Sequence, residues 1–409
     1  MAQIAIREYD AKRMFAAFQS SVYCGYLIDS PTDFDDFDTS EWDADMRWVI
    51  KPDQLFGKRG KYGLLGVKLD NANIRKWWKE HNQKENIIGK QTGLLTTFLI
   101  EPFVPHTEEY YVSIKTERDH DVIYFSNAWG IEVEENWETV KELSIHLWNT
   151  IYDLETEQLV NIFGISDIRI QEFIISLYSF FREYGFAYLE VNPFTFDVSG
   201  NIICLDMVAR VDDSEAFKQR KNWWNLAFPH PFGPEKTEGE KYIEKLDSET
   251  GASLKFRILN PAGRIWLLTS GGGASVIIAD TLADLGYASE IGNYGECSGN
   301  PDRENTKAYT GVLLDTMLAN KIKWKYLVIA GAIANFTHID RTFAGIIDAF
   351  RDRIEDMKKQ DVRILVRRGG INDIEWLAMM KLACEELGLP CEIADGSVYM
   401  TDILKKIKL

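Results

Sequence analysis

The chain has 409 residues, 45% of them hydrophobic and 27% charged, enough for two or three soluble domains each with its own core. A formal net charge of −17 excludes nonspecific nucleic-acid binding, which needs basic surface, and requires any anion site to be built from local Lys, Arg, backbone N–H groups or metal. No run approaches the roughly 18 apolar residues of a membrane span, the N-terminus lacks the build of a secretion signal, and five cysteines without a CxxC pair fit reduced thiols in a cytoplasm.

In chain order, the pattern predicts a helix over Asp10–Ser20 and then a basic, glycine-rich segment, Lys51-Pro-Asp-Gln-Leu-Phe-Gly-Lys-Arg-Gly-Lys-Tyr-Gly. Its glycines let backbone approach a phosphate while Lys51, Lys58, Arg59 and Lys61 offset the charge, although the Walker GxxxxGK[ST] order is absent. Strand-like segments follow at Gly66–Asp70, Glu109–Lys115 and Val122–Phe125, and an apolar-rich helix is predicted over Asp167–Tyr184. Between the first two of these strands, Ile100-Glu-Pro-Phe-Val-Pro105 with Glu109 has the character of a nucleoside-edge loop. From Tyr188 to Asp212 the sequence reads as two strands joined at Ser199-Gly200-Asn201. Strand period 2 puts Glu190 and Asn192 on one face, and Asp206 arrives from the second strand. Three converging oxygen donors suit Mg²⁺, which takes one or two protein oxygens plus nucleotide phosphates.

A polar passage from Pro229 to Gly251 reads as the connection between domains, placing them at 1–240 and 241–409. Beyond it, apolar strands at Arg264–Thr269, Tyr326–Ala330, Val362–Val366 and Cys391–Ala394 alternate with helical patterns. One such pattern aligns Phe343, Ile346, Ile347, Phe350, Ile354 and Met357 on a single face. The alternation predicts a parallel, doubly wound sheet with ligands at the carboxyl ends of its strands. Gly271-Gly272-Gly273 leaves free N–H groups at a positive helix start, a ready anion site. Arg368, Asn335, Thr337 and Ser298-Gly299 lie at strand ends and form a candidate pocket for a small polycarboxylate, Arg368 gripping with paired charged bonds. Arg367 is expected to make a structural contact or face solvent, and the six histidines to be structural or exposed.

These segments, in this order, resemble the ATP-grasp plus ligase-domain half of ATP-citrate lyase and, more distantly, the beta subunit of succinyl-CoA synthetase. The opening Arg7-Glu-Tyr-Asp-Ala-Lys-Arg-Met-Phe is similar to the synthetase. Lys51-Pro-Asp-Gln-Leu, Phe98-Leu-Ile-Glu-Pro-Phe-Val-Pro-His106, Gly271-Gly-Gly-Ala-Ser275, Asn293-Tyr-Gly-Glu, Ala334-Asn-Phe-Thr337 and Val366-Arg-Arg-Gly-Gly370 resemble the lyase more closely. The resemblance implies an ATP-grasp domain followed by a flavodoxin-like CoA-ligase domain, an α/β fold.

By position, the resemblance assigns nucleotide contacts to Lys51, Arg59, Gly60, Pro102, Val104 and Glu109, and Mg²⁺ to Asn192 and Asp206. It gives Glu190 the handling of a migrating phosphohistidine. Gly271, Gly272, Gly273, Ala274 and Ser275 match the helix start that holds the phosphoryl group, and Gly299, Asn335, Thr337 and Arg368 the citrate pocket. Asp247, Thr250 and Ala252 resemble a structural cation site. Ala332 departs from the animal pattern, which has Ser. The family's CoA-binding domain, its phosphorylated histidine and its citryl-CoA cleavage domain have no counterpart before Leu409. The implied assembly is therefore a cytoplasmic hetero-oligomer in which a large partner subunit carries those parts, ATP, citrate and CoA being substrates. Other readings stay open from sequence: a citryl-CoA synthetase with a separate lyase, a succinyl-CoA synthetase beta subunit, or a noncatalytic nucleotide- and citrate-sensing module.

Overall fold

The computed structural model describes residues 3–30, 33, 34, 37, 45–127, 137–148, 154–334, 338–370 and 372–409. They divide into two compact units, Met1–Glu235 and Lys236–Leu409.

In the first unit, strands β1 (Gln3–Ile6), β2 (Tyr26–Ile28), β3 (Trp48–Pro52), β4 (Gly66–Leu69), β5 (Glu85–Ile88), β6 (Gln91–Leu94) and β7 (Phe98–Pro102) precede β8 (Tyr110–Thr116), β9 (His120–Ser126) and β10 (Lys141–His146). After the helix Ile168–Glu183 come β11 (Phe186–Phe196), β12 (Ile202–Cys204) and β13 (Met207–Asp212). A seven-stranded antiparallel sheet runs β1-β13-β11-β8-β9-β10, with β12 also on β11, and a four-stranded sheet runs β2-β7-β3-β4. The helix Ile168–Glu183 starts where Asp167 accepts the Arg169 N–H at 2.9 Å, and it stops before Gly185, whose φ of 70° suits a left-handed cap. Its buried face, Phe173, Ile174, Leu177 and Phe181, packs with Val112, Ile114, Leu189 and Val191 of the large sheet. The smaller sheet has its own core around Trp48, Ile50, Phe98 and Ile100.

The expected two-strand reading of Tyr188–Asp212 needs correction. β11 pairs with β12 across the predicted turn and with β13 on Phe186–Val191, so three strands share the stretch. Asp206 lies in the bend between β12 and β13 rather than on a strand, its carbonyl accepting the Asn192 N–H at 3.0 Å.

In the second unit the expected connecting passage contains a helix, Glu238–Glu249, opened by a capping box in which Thr237 and Glu240 satisfy each other's backbone N–H groups. Then come β14 (Ser253–Ile258), β15 (Ile265–Ser270), β16 (Asn293–Ser298), β17 (Tyr326–Ala334), β18 (Arg363–Gly370) and β19 (Cys391–Ala394). β15-β17-β18-β19 form a parallel sheet, as predicted. β16, paired antiparallel with β14, is tied to β15 by Asn293, whose amide bonds both the N–H and the C=O of Leu267 at 2.8 and 2.9 Å. Strand alternation feeds two cores. Trp266, Leu268, Leu327, Ile329, Ile364 and Val366 belong to one, and Ile265, Leu267, Val328 and Leu365 to the other. Both faces are covered, the condition for a parallel sheet.

The predicted apolar stripe is real, but it is divided between two helices, Ile339–Arg351 and Ile354–Lys359. The chain leaves helical geometry at Arg353 (φ −129°, ψ 14°), whose guanidinium grips both oxygens of Asp315 at 2.6 and 2.8 Å. Among the described residues no helix is long and apolar enough to cross a membrane. Phe350, wholly buried at the centre of the stripe, should be costly to truncate: Phe350→Ala is expected to lower stability by about 3–5 kcal/mol, read as a lower urea midpoint at unchanged m-value.

Candidate functional site

In the first unit, three cations and four carboxylates gather where residues 8–12, β3, β7 and the 205–206 bend meet. β3 and β7 run antiparallel with Val49 opposite Glu101, which puts Lys51 and Glu101 diagonally on one face, Nζ to Oε2 at 3.2 Å. Glu8, at the start of the helix Glu8–Phe18, sits among the cations. Its Oε1 lies 2.5 Å from Lys51 Nζ and 2.7 Å from Lys12 Nζ, and its Oε2 2.7 Å from Arg59 Nη2. Arg59 donates through Nη1 to the Pro52 carbonyl at 3.0 Å and pairs through Nη2 with Asp206 Oδ1 at 2.5 Å. Lys12 donates to both oxygens of Glu101, at 2.8 and 2.9 Å, and Tyr23 adds its hydroxyl to the same carboxylate at 2.8 Å. Lys12 and Lys51 also both donate to the Leu205 carbonyl, at 3.0 and 2.7 Å.

Glu8, Lys12, Lys51 and Arg59 are all at least nine-tenths buried. Burial alone would push the Glu8 carboxyl up, but Lys12, Lys51 and Arg59 together hold it well below the usual range. For Asp206 burial prevails over Arg59, and its pKa is raised. The fourth carboxylate, Asp53, accepts the backbone N–H groups of Glu8 and Tyr9 at 2.9 and 3.0 Å and so caps their helix from 44 residues away. Burial and the neighbouring charge of Glu8 push it up to about 6. The sequence reading named Lys51, Arg59 and Asp206 but not Glu8, Lys12, Asp53 or Glu101 as members of this group. The available signal was the Glu8…Lys12 spacing of four, which fits one helix face.

On β11, Tyr188, Glu190 and Asn192 share a face. The Tyr188 hydroxyl donates to Glu190 Oε2 at 2.7 Å and the Asn192 amide to Glu190 Oε1 at 3.3 Å. Glu190 is thereby oriented from both sides, and the amide leaves its carbonyl oxygen as the acceptor end. Glu109 meets His106 Nε2 at 3.1 Å, while His106 Nδ1 contacts the Val104 carbonyl at 2.7 Å. The histidine therefore ties two predicted nucleoside contacts together, a role the sequence reading did not give it. Pro102 ends β7, and Gly60 has open space where a side chain would stand.

In the second unit, Gly271 (φ 93°) turns β15 into the helix Gly272–Leu282. Space around Gly273 is open, whereas a side-chain carbon on Gly272 would stand 3.3 Å from Glu296 Oε2. Ala274 is buried, and the buried Ser275 hydroxyl bonds back to the Gly271 carbonyl at 2.9 Å. Arg367 and Arg368 point to opposite sides of β18. Arg367 is satisfied by the carbonyls of Val398, Gly331 and Gly396 at 2.8, 2.7 and 3.1 Å. Arg368 is 4% exposed, and its guanidinium makes only one hydrogen bond among the described residues, to the Ala332 carbonyl at 3.4 Å. Burial pushes its pKa down to about 10.

A side-chain carbon on Gly331 would collide with Arg368 Nη1, so the glycine makes room for the guanidinium. Gly299 (φ 75°) packs against Ala252 and Ser253. Asn335 and Thr337 lie outside the described residues. Asp247 accepts the Leu254 N–H at 2.7 Å and the Lys255 ammonium at 2.6 Å, and Thr250 accepts the Ala252 N–H at 3.4 Å.

Residues 2–223 match the family model of the ATP-citrate synthase ATP-grasp domain, and residues 234–407 that of the ATP citrate lyase citrate-binding region. The ATP-citrate synthase alpha chain protein 2 of Oryza sativa subsp. japonica is 42% identical over 416 residues, covering 99% of this chain and 98% of that protein. The ATP-citrate synthase of Homo sapiens is 38% identical over 368 residues, which are 89% of this chain but 33% of that protein. The ATP citrate lyase from Methanothrix soehngenii, solved in complex with citrate and coenzyme A, aligns with a TM-score of 0.86 at 40% identity over 98% of both chains.

Asp53 gives the ionic group a measurable pH signature. With its folded pKa raised from 3.8 to about 6, the native state holds a proton that the unfolded chain has lost. Stability contributed by Asp53 should therefore fall as pH rises from about 4 to about 6 and then level. Urea unfolding of the native chain and of Asp53→Asn across this window should show their difference changing with that sign. A pH-independent difference would mean that Asp53 ionises normally.

Proposed function

Because the chain belongs to the ATP-citrate lyase family, we propose a division of labour between its units: the first binds ATP and transfers its γ-phosphoryl group, and the second binds citrate. The enzyme converts ATP, citrate and CoA to ADP, phosphate, acetyl-CoA and oxaloacetate. The observation that carries the first half is the set of carboxylates in contact with Lys51 and Arg59. Lys51 and Arg59 are held by carboxylates whose place nucleotide phosphates can take, and Asp206 is one of them.

The donors fit Mg²⁺. Asp206 and the Asn192 carbonyl oxygen supply the one or two protein ligands this ion takes alongside phosphate. Charge argues the same way, since four carboxylates against three cations would repel a polyphosphate arriving without a divalent ion. When bound, the metal would neutralise the β/γ oxygens during transfer. Lys51 and Arg59 bind the phosphates, with Gly60 allowing close approach. Pro102, Val104 and Glu109 hold the nucleoside, with His106 fixing the loop. Glu190, oriented by Tyr188 and Asn192, stabilises the cationic imidazole of the accepting histidine.

That histidine belongs, in this reading, to a large partner subunit that also carries the CoA-binding and citryl-CoA cleavage domains, in a cytoplasmic hetero-oligomer. The share of the human enzyme left unmatched supports further domains elsewhere. Gly271–Ser275 receive the phosphoryl group, and Arg368, Gly299, Asn335 and Thr337 grip citrate as it attacks. Support for the pocket is Arg368 itself: a buried guanidinium with a single long hydrogen bond among the described residues suits a carboxylate. Asp247, Thr250 and Ala252 could hold a structural cation only if Lys255 released Asp247.

Two variants test the halves separately. Asp206→Ala should abolish phosphorylation of the partner histidine while leaving assembly intact; normal phosphohistidine formation would remove the metal assignment. Arg368→Ala should spare phosphorylation and raise the citrate concentration for half-maximal activity about tenfold or more, the loss of one charged contact. An unchanged citrate dependence would place the pocket elsewhere.

A further inference from the structure

Lys12 has no assigned role, yet it is the one cation of the group that touches the Asp206 bend and both flanking glutamates without being a predicted nucleotide contact. Its ammonium has three protons and three sets of acceptors: Glu8 at 2.7 Å, the two oxygens of Glu101 at 2.8 and 2.9 Å, and the Leu205 carbonyl at 3.0 Å. It is saturated, so it has no proton left for phosphate. Lys51 has the same three neighbours, but its approach to Glu101 is longer, at 3.2 Å. Phosphate displaces that contact most readily, because Lys12 already satisfies Glu101.

We propose that Lys12 is a positioning residue for phosphoryl transfer: it helps to fix the Leu205 carbonyl, and with it Asp206 one residue on, and it holds Glu101, which would otherwise bind Lys51 more closely. This rests on the nucleotide-site reading above. Two consequences differ from those of a merely structural lysine. Without Lys12 the 205–206 bend loses a donor, so metal binding suffers. Glu101 also loses its bidentate partner and competes with phosphate for Lys51, so ATP binding suffers through a separate route.

The test uses the full chain assembled with its histidine-bearing partner. It follows ATP-dependent histidine phosphorylation as Mg²⁺ and ATP are varied, measures nucleotide-dependent Mg²⁺ binding directly by calorimetry, and follows oxaloacetate formation as citrate is varied. Lys12→Met should raise the half-saturating Mg²⁺ concentration about tenfold or more and raise that of ATP, with citrate half-saturation unchanged. Adding Glu101→Gln should recover part of the ATP dependence, since the competing charge is gone, and leave the Mg²⁺ requirement high. A folded Lys12→Met with native Mg²⁺ dependence overturns the proposal. Should Lys12→Met fail to fold, Lys12→Arg decides: a planar guanidinium keeps the charge but cannot reproduce a point donor among three acceptor sets, so the Mg²⁺ requirement should again rise, and a native value overturns the proposal. Asp206→Ala run alongside separates the two levels. If it phosphorylates normally, the site reading itself is wrong. If it is inactive while Lys12→Met is native, only the role of Lys12 falls.

Discussion

The first unit depends on burying three cations together with Glu8 and Asp53, with Glu101 and Asp206 at the partly exposed edge of the group. Each ion buried alone would carry a desolvation penalty of several kcal/mol, and removing one partner of a buried pair typically costs about 3–5 kcal/mol. The three cations and the two glutamates tolerate burial because none of them relies on one ionic neighbour. Glu8 meets three cations, Lys12 meets two carboxylates, and Arg59 joins Glu8 to Asp206. The same redundancy makes the arrangement usable for chemistry. In the proposed nucleotide site a phosphate oxygen beside Lys51 or Arg59 would displace one carboxylate while a second still held the cation.

The proposed citrate pocket of the second unit rests on the opposite condition, under-partnering. Arg367 and Arg368 are neighbours on β18, and strand alternation sends them to different faces. Arg367 finds three carbonyls and holds the loop around Gly396 and Val398 to Gly331. Arg368 enters a space that Gly331 keeps open and finds one distant carbonyl. A guanidinium left so poorly paired is desolvated without compensation, visible in its lowered pKa, and a bidentate carboxylate removes that deficit. The pair also shows why an Arg-Arg dipeptide cannot be read as a doubled binding site.

The sheet of the second unit was legible because buried parallel strands are apolar and glycines punctuate their carboxyl ends. The helix face at Phe343–Phe350 was legible because its period is local. The break at Arg353 was not, since it accompanies a pair with Asp315, 38 residues earlier. The helix Glu238–Glu249 was lost in a passage read by polarity, although Thr237 and Glu240 spell its start. In the first unit, single-sequence reasoning found residues whose chemistry is conspicuous: a lysine and an arginine among glycines, and Asp206 near Asn192. It did not find their holders. Glu8 meets Lys51 across 43 residues, Lys12 meets Leu205 across 193, and nothing in composition or period says which charges pair at such range.

The acidity of the chain then takes on a more specific meaning. A net charge of −17 would seem to disfavour a protein whose substrates are ATP and citrate, both polyanions. Yet the long-range field is screened within about 8 Å at physiological salt, and the cations that matter are buried, where screening is weak. In the first unit those cations are outnumbered by carboxylates, so in the proposed site a polyphosphate would need a divalent ion. In the second, Arg368 is buried with no carboxylate bound to it among the described residues, so in the proposed pocket a carboxylate ligand would need no metal. On that proposal the two anions meet different electrostatic rules within one chain. The difference follows from whether the local cation was folded together with its counter-charges or apart from them.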